Sequence, residues 1–227
     1  MSESPVAPRI KLRIENLSDL VFGLALSIGS IVLISKLPQS PTELVTGIVL
    51  FGFSFLLVVW IWTGYSTTMT FLPAEAPGTF LLNVMLLFCV AVEPYLFYVQ
   101  SEGQTSLLAF ASSVYAVDVG AMLFILAGLV HTLLSEEKKG HVHDVPAARL
   151  VRFRRTMLTQ AAMGVVFMAS ALPVFSIPVP LGGFLTDYLW FAVIVVLLVV
   201  PRWEEGCRLR PRVVGHRLSP RARPIVR

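Results

Sequence analysis

Apolar residues run along this chain in long blocks, separated by short clusters of charge, proline and glycine. A helix rises about 1.5 Å per residue, so the roughly 30 Å hydrocarbon layer of a bilayer needs about 20 apolar residues per crossing. Six blocks approach or exceed that length, and they predict helices over residues 18–35, 44–68, 79–100, 106–134, 150–175 and 184–200. Pro38, Pro41, Pro73, Pro77, Pro178 and Pro180 fall between them and read as breaks, since proline lacks the backbone N–H that a continuing helix needs. The pattern predicts an all-α membrane protein with six transmembrane helices per subunit.

The polar positions give this arrangement a direction. Arg9, Lys11 and Arg13 precede the first block, and Lys138, Lys139, Arg149, Arg152, Arg154 and Arg155 lie between the fourth and fifth. Arg202 and the residues after it follow the last. With an even number of spans these segments share one side, and the positive-inside rule assigns both termini to the cytoplasm of a multi-pass cell-membrane protein. Trp60, Trp62, Tyr65, Tyr95, Tyr98, Tyr188 and Trp190 stand near span ends, where aromatic residues act as interfacial anchors.

The organisation expected is a cytoplasmic N-terminal segment over 1–12, a six-helix channel domain over 13–203, and a basic tail over 204–227. That tail has too little apolar content to fold alone and reads as a segment drawn to anionic lipid headgroups rather than to nucleic acid.

Composition narrows the class further. The 227 residues are 56% hydrophobic and 14% charged, with a mean hydropathy of +0.77, a balance that a soluble domain of this size would not show. The first eight residues include Glu3 and lack a cleavable signal, so the first block is expected to be a retained span. Cys89 and Cys207 imply no disulfide framework. No glycine-rich phosphate loop, nucleophile elbow or paired catalytic carboxylates occur, so the chain does not read as an enzyme. His141, His143 and Asp144, near Glu136 and Glu137, could offer metal ligands, but a solvated loop accounts for them and no metal is expected.

Ionisable groups inside spans are costly unless paired or wetted, which singles out Asp19, Glu93 and Asp118, with Asn83 as a strong hydrogen-bonder. At about 100° per residue, the first helix aligns Leu17, Leu20, Leu24, Ser27, Ile28, Ile31 and Ser35 on one face. Ser18, Asp19, Phe22, Ala25 and Gly29 fall elsewhere. The Ser18 and Asp19 side is expected to pack within the bundle, where Gly23, Ala25 and Gly29 allow close approach. By periodicity the Leu/Ile/Ser stripe fits a lipid-facing or core surface as well as a lining.

The segment Arg13-Ile14-Glu15-Asn16-Leu17-Ser18-Asp19, followed by Val21-Phe22 and a Leu/Ile/Ser helix, resembles the opening span of the potassium channel family named after transmembrane protein 175. In that family an Arg and a Phe-Ser-Asp triplet enter the pore-lining helix; here Leu17 replaces the Phe. Ser54-Phe55-Leu56 with Trp62, then Asn83, Leu87 and Pro94, then Tyr115-Ala116 extend the resemblance over most of the chain. Tyr65 and Ser66 stand where the family commonly has His, and Asp118 where it often has Asn.

The resemblance implies a passive, potassium-selective leak channel: a homotetramer whose first helices surround the pore. Carried over residue by residue, it implies a constriction of Leu24, Ile28 and Ile31 with lining hydroxyls at Ser27 and Ser35. Arg13, Ser18 and Asp19 would form the network that holds the helices in register. The ion passing through is potassium, with no cofactor, and the expected partners are membrane lipid and further copies of the chain.

No Thr-Val-Gly-Tyr-Gly stretch exists to build a carbonyl filter, so discrimination would come from a neck tight enough to strip water. Asp19, Glu93 and Asp118 leave open a proton-coupled transporter or proton pathway, unless Glu93 and Asp118 simply pair with Asn83, Tyr95 or Tyr115. A membrane scaffold without transport is a third reading.

Overall fold

The computed structural model describes residues 7–35, 37–73, 76–102, 105–142, 145–172, 189–190 and 192–193. They form five long helices: α1 (Ala7–Ser35), α2 (Pro41–Phe71), α3 (Thr79–Glu102), α4 (Thr105–Lys138) and α5 (Ala147–Ser170). Among the described residues there is no strand. The expected tail over 204–227 lies outside them, as does most of the expected sixth helix.

α1 to α4 extend past their apolar blocks, whereas α5 begins ahead of its block and stops at Ser170, short of the expected end at 175; hydropathy marks what sits in lipid, but hydrogen bonding sets where a helix stops. The start of α2 shows the difference. Ser40 accepts a hydrogen bond from the Glu43 backbone N–H at 3.1 Å, and the Glu43 carboxylate accepts one from the Gln39 N–H at 2.8 Å. Pro41 therefore begins the helix instead of breaking it, since its missing N–H is an orphan at that position anyway.

Four of the five helices, α1 to α4, are long and apolar enough to cross a membrane. α5 is not among them: Arg149, Arg152, Arg154 and Arg155 occupy its first turns and lower its hydropathy.

Contacts fix how the ends align. Lys11 Nζ donates to the Thr70 carbonyl at 3.1 Å, joining the start of α1 to the end of α2. The Arg149 guanidinium lies 5.1 Å from the centroid of the Phe71 ring, which brings the start of α5 to the same place. Phe71 in turn meets Phe153 edge-on at 5.8 Å. Three helices thus meet at one end of the bundle, and two of them, α1 and α5, bring a basic residue there.

α4 is the central helix: 61% of its most apolar window is buried, against 22% for α1 and 28% for α2. It packs closely on α5, where a Cβ added at Gly120 would meet Met168 Cγ at 2.9 Å and the Gly164 carbonyl at 3.2 Å. One at Gly164 would meet the Phe124 ring at 3.2 Å. Two facing glycines let the backbones approach as small residues do in membrane helix pairs.

Two expected interfacial anchors belong instead to the core. Tyr65 and Trp190 are buried, and Trp190 stacks on Phe167 and Phe53 while its Nε1 donates to Ser170 Oγ at 2.9 Å. Both aromatics combine a large apolar body with a polar tip that finds a partner indoors. Tyr95 and Tyr98 remain exposed, as anchors would.

Candidate functional site

α1 has two unlike long faces. Ser18, Phe22, Ala25 and Gly29 are buried against α2 and α3, with Phe22 5.8 Å from the Tyr65 ring. Leu17, Leu20, Leu24, Ser27, Ile28, Ile31 and Ser35 stand exposed on the opposite side. Leu24 is 52% exposed and Ile28 47%, too much for core residues, so this apolar surface has to be covered by something other than its own subunit. Of the small residues expected to allow close packing, Ala25 and Gly29 are buried; Gly23 has nothing near it within the chain.

Polar side chains brace the buried face. Ser18 Oγ donates to the Ile14 carbonyl at 2.8 Å and lies 2.7 Å from the Tyr65 hydroxyl. A serine has one proton; with it committed to Ile14, Tyr65 must be the donor of the second bond. Asn83 Oδ1 stands 3.4 Å away, so α1, α2 and α3 converge on one hydroxyl. Tyr65 thus supplies the α2 partner of Ser18 with a phenol.

Asp19 departs from expectation. It is exposed on the flank of α1, about 100° around the helix from Ser18, where Trp62 Nε1 donates to its carboxylate at 2.9 Å. The pairing gives the carboxylate a partner without burying it. Trp62 is thus a bonded member of the α1–α2 seam as well as an aromatic near a span end. Next to it a cavity of about 110 Å³ is lined by Glu15, Asp19, Tyr65, Ser66, Met69 and Thr70. Arg13 is exposed and joins none of these bonds within the chain.

The hydroxyls on the exposed stripe are oriented by their own helix. Ser27 Oγ donates to the Gly23 carbonyl at 2.8 Å and Ser35 Oγ to Val32 at 2.7 Å. Each proton is turned inward, so each oxygen offers only lone pairs to its surroundings.

The other intramembrane carboxylates lie away from this stripe. Glu93 is buried and accepts from Ser54 at 2.5 Å and from Tyr115 at 3.2 Å. Ser54 was not foreseen as a partner, and Asn83 and Tyr95, which were, play no part. Asp118 faces the Cys89 thiol and keeps one buried oxygen without a hydrogen bond. Gln160, overlooked in the sequence because it sits in the arginine-rich helix, is buried with both amide atoms unpaired.

Near the end of α4, Glu136 bonds both Lys139 and His141 at 2.7 Å. Among the described residues no group of three or more side chains could hold a metal, and His143 and Asp144 lie outside them.

Long apolar helices with polar braces between them make this an all-α, multi-pass membrane protein. Its fold matches the crystal structure of a lysosomal potassium-selective channel TMEM175 homolog from Chamaesiphon minutus. The match has a TM-score of 0.58 and 20% sequence identity, covering 84% of this chain and 97% of that one. No protein-family model and no curated protein matches by sequence.

Proposed function

We propose that the chain belongs to the transmembrane protein 175 family and forms a passive potassium-permeable channel as a homotetramer, its α1 helices surrounding the pore. The observation that carries this reading is the division of α1: a polar-braced face buried in the subunit, and an exposed stripe of Leu24, Ile28 and Ile31 needing cover, within a fold shared with a potassium-selective channel.

Around an axis, Leu24, Ile28 and Ile31 form successive constrictions about one turn apart. Ser27 and Ser35 add oxygen lone pairs suited to a dehydrated cation. A neck that narrow passes the ion that sheds water more cheaply, so potassium is preferred over sodium to a moderate degree. Ser18, Tyr65 and Asn83 hold α1 upright from behind, and Asp19 with Trp62 fixes its rotation against α2. Arg13, exposed and outside these bonds among the described residues, would reach toward a neighbouring copy. The end that gathers Lys11 and Arg149 is cytoplasmic by the positive-inside rule.

The test is flux on purified protein in liposomes. Potassium efflux should proceed without a coupled ion, and Leu24→Ala should change its rate or its potassium-to-sodium ratio severalfold. An assembly that sizes as one subunit, or flux that requires a proton gradient, refutes the reading. Glu93 argues against such a relay, since both hydroxyls around it are spent on one carboxylate oxygen in a packed interior.

A further inference from the structure

The outward side of α5 has a construction that neither the pore nor the bundle core uses. Helical geometry at about 100° per residue places Val151, Leu158, Ala162 and Val165 within about 40° of one line, and all four are exposed. Arg154 and Arg155, also exposed, stand on opposite edges of that line, at about 60° on one side and about 40° on the other. Arg155 also has a partner within the chain, and a guanidinium with five N–H donors can keep that partner while meeting a phosphate.

This end of α5 is held in place by Arg149 over Phe71 and Phe71 against Phe153. It lies with Lys11 at the basic end of the bundle, and Lys138 ends the adjoining α4, with Lys139 in the turn after it. From Leu158 to Val165 the stripe runs about 10 Å, within the roughly 15 Å depth of a single leaflet.

We infer that the first turns of α5 form a binding site for an anionic phospholipid, its phosphate held by Arg154 and Arg155 and its acyl chain lying along Leu158, Ala162 and Val165. Charge selects this occupant. A phosphodiester answers two arginines that flank an apolar track, whereas a second copy docked symmetrically on the same face would bring like charges together. The α1 stripe carries no cation between Leu17 and Ser35, so this surface differs in kind from the one given to the pore. The inference does not rest on the channel reading.

The experiment is native mass spectrometry of the full chain, delipidated in neutral detergent and titrated with phosphatidylglycerol or phosphatidylcholine of identical acyl chains. Phosphatidylglycerol should be retained and phosphatidylcholine should not. Arg154→Gln should weaken retention about fivefold and Arg154→Gln with Arg155→Gln about thirtyfold. Leu158→Gln, which leaves both cations in place, should weaken it as well. Lys138→Gln with Lys139→Gln should leave it within about twofold.

Equal retention of the two lipids, or loss in the lysine pair but not the arginine pair, overturns the inference. Displacement of the lipid by millimolar inorganic phosphate alone would reassign the site to free anions and also overturn it. So would a change in the number of subunits on Arg154→Gln, which would mark the face as a contact between copies. Should the double variant fail to fold, the Arg154→Gln and Leu158→Gln single variants decide.

Discussion

The Tyr65 hydroxyl donates to Ser18 Oγ at 2.7 Å across the boundary of α2 and α1, and Ser18 donates its own O–H to the Ile14 carbonyl at 2.8 Å. Neither group sees solvent. Tyr65→Phe removes the donor and leaves Ser18 otherwise satisfied; Ser18→Ala strands the phenol. Each should lower stability in detergent by about 0.5–1.5 kcal/mol, Ser18→Ala by more. A double-mutant cycle should return a coupling of the same order. A coupling of zero would mean the two hydroxyls do not bind each other.

The glycine crossing of α4 and α5 predicts a cost for the smallest possible side chain. In Gly120→Ala the new methyl group meets Met168 Cγ at 2.9 Å and the Gly164 carbonyl, so helix backbones have to separate. A loss of about 1–3 kcal/mol in thermal or denaturant unfolding is expected. Gly52, with nothing within 4 Å of an added Cβ, is the control. Gly52→Ala should be neutral or slightly stabilising, because alanine restricts the unfolded chain.

These contacts also mark where sequence reasoning reached and where it stopped. The stripe through Leu24, Ile28 and Ile31 was readable because a 100° period needs only one helix. That Ser18 is buried while Asp19 sits on the flank was not, since adjacent residues differ only in which neighbour lies beside them, and that depends on the placement of α2. Tyr65 and Trp190 misled for a related reason: near a span end, the same amphipathic ring suits an interface or a core. The centrality of α4 was hidden because its apolar residues surround it almost evenly, leaving no stripe to show a preferred side. Pro41 misled too: between apolar blocks a proline suits a break, yet behind the Ser40 cap it opens α2.

Gln160 predicts a gain. Its amide is buried with both polar atoms unpaired, and Nε2 lies 3.4 Å from where a Gly64 Cβ would be. An unpaired amide in a dry interior costs about 1–3 kcal/mol. Gln160→Met keeps the length and removes the polar atoms, so the variant should unfold at higher temperature. A lower unfolding temperature would show that the amide has a partner, such as a bound water.

Glu93 separates a packing role from a proton-carrying one. Glu93→Gln keeps a carbonyl oxygen for Ser54 and Tyr115, so potassium flux should remain within about twofold of the unsubstituted protein and stability should fall little. Glu93→Ala empties the site, leaves both hydroxyls unpaired and should destabilise by several kcal/mol through cavity and lost bonds together. A proton relay would reverse the order for function. Flux driven by a proton gradient would vanish in Glu93→Gln, and in Asp118→Asn, while the fold persisted.

Thiol labelling separates the two remaining environments for the exposed α1 stripe. Cysteine introduced at Leu24 or Ile28 replaces a residue about half exposed in the single chain, so neither change should disturb the subunit core. If the stripe lines a water-filled path, a charged, membrane-impermeant thiol reagent should modify both positions and block potassium flux, faster at the one nearer the open mouth. Cysteine at Phe22, buried on the opposite face, should stay unmodified. A lipid-facing stripe gives the reverse: thiols in hydrocarbon stay protonated and do not meet a charged reagent, and only apolar maleimides reach them. Crosslinking adds the symmetry, because stripes that meet around an axis put like positions of different copies within reach, and oxidation of the position 24 or 28 variant should yield covalent dimers. Unlabelled, uncrosslinked cysteines in protein that still conducts would move the pore away from α1.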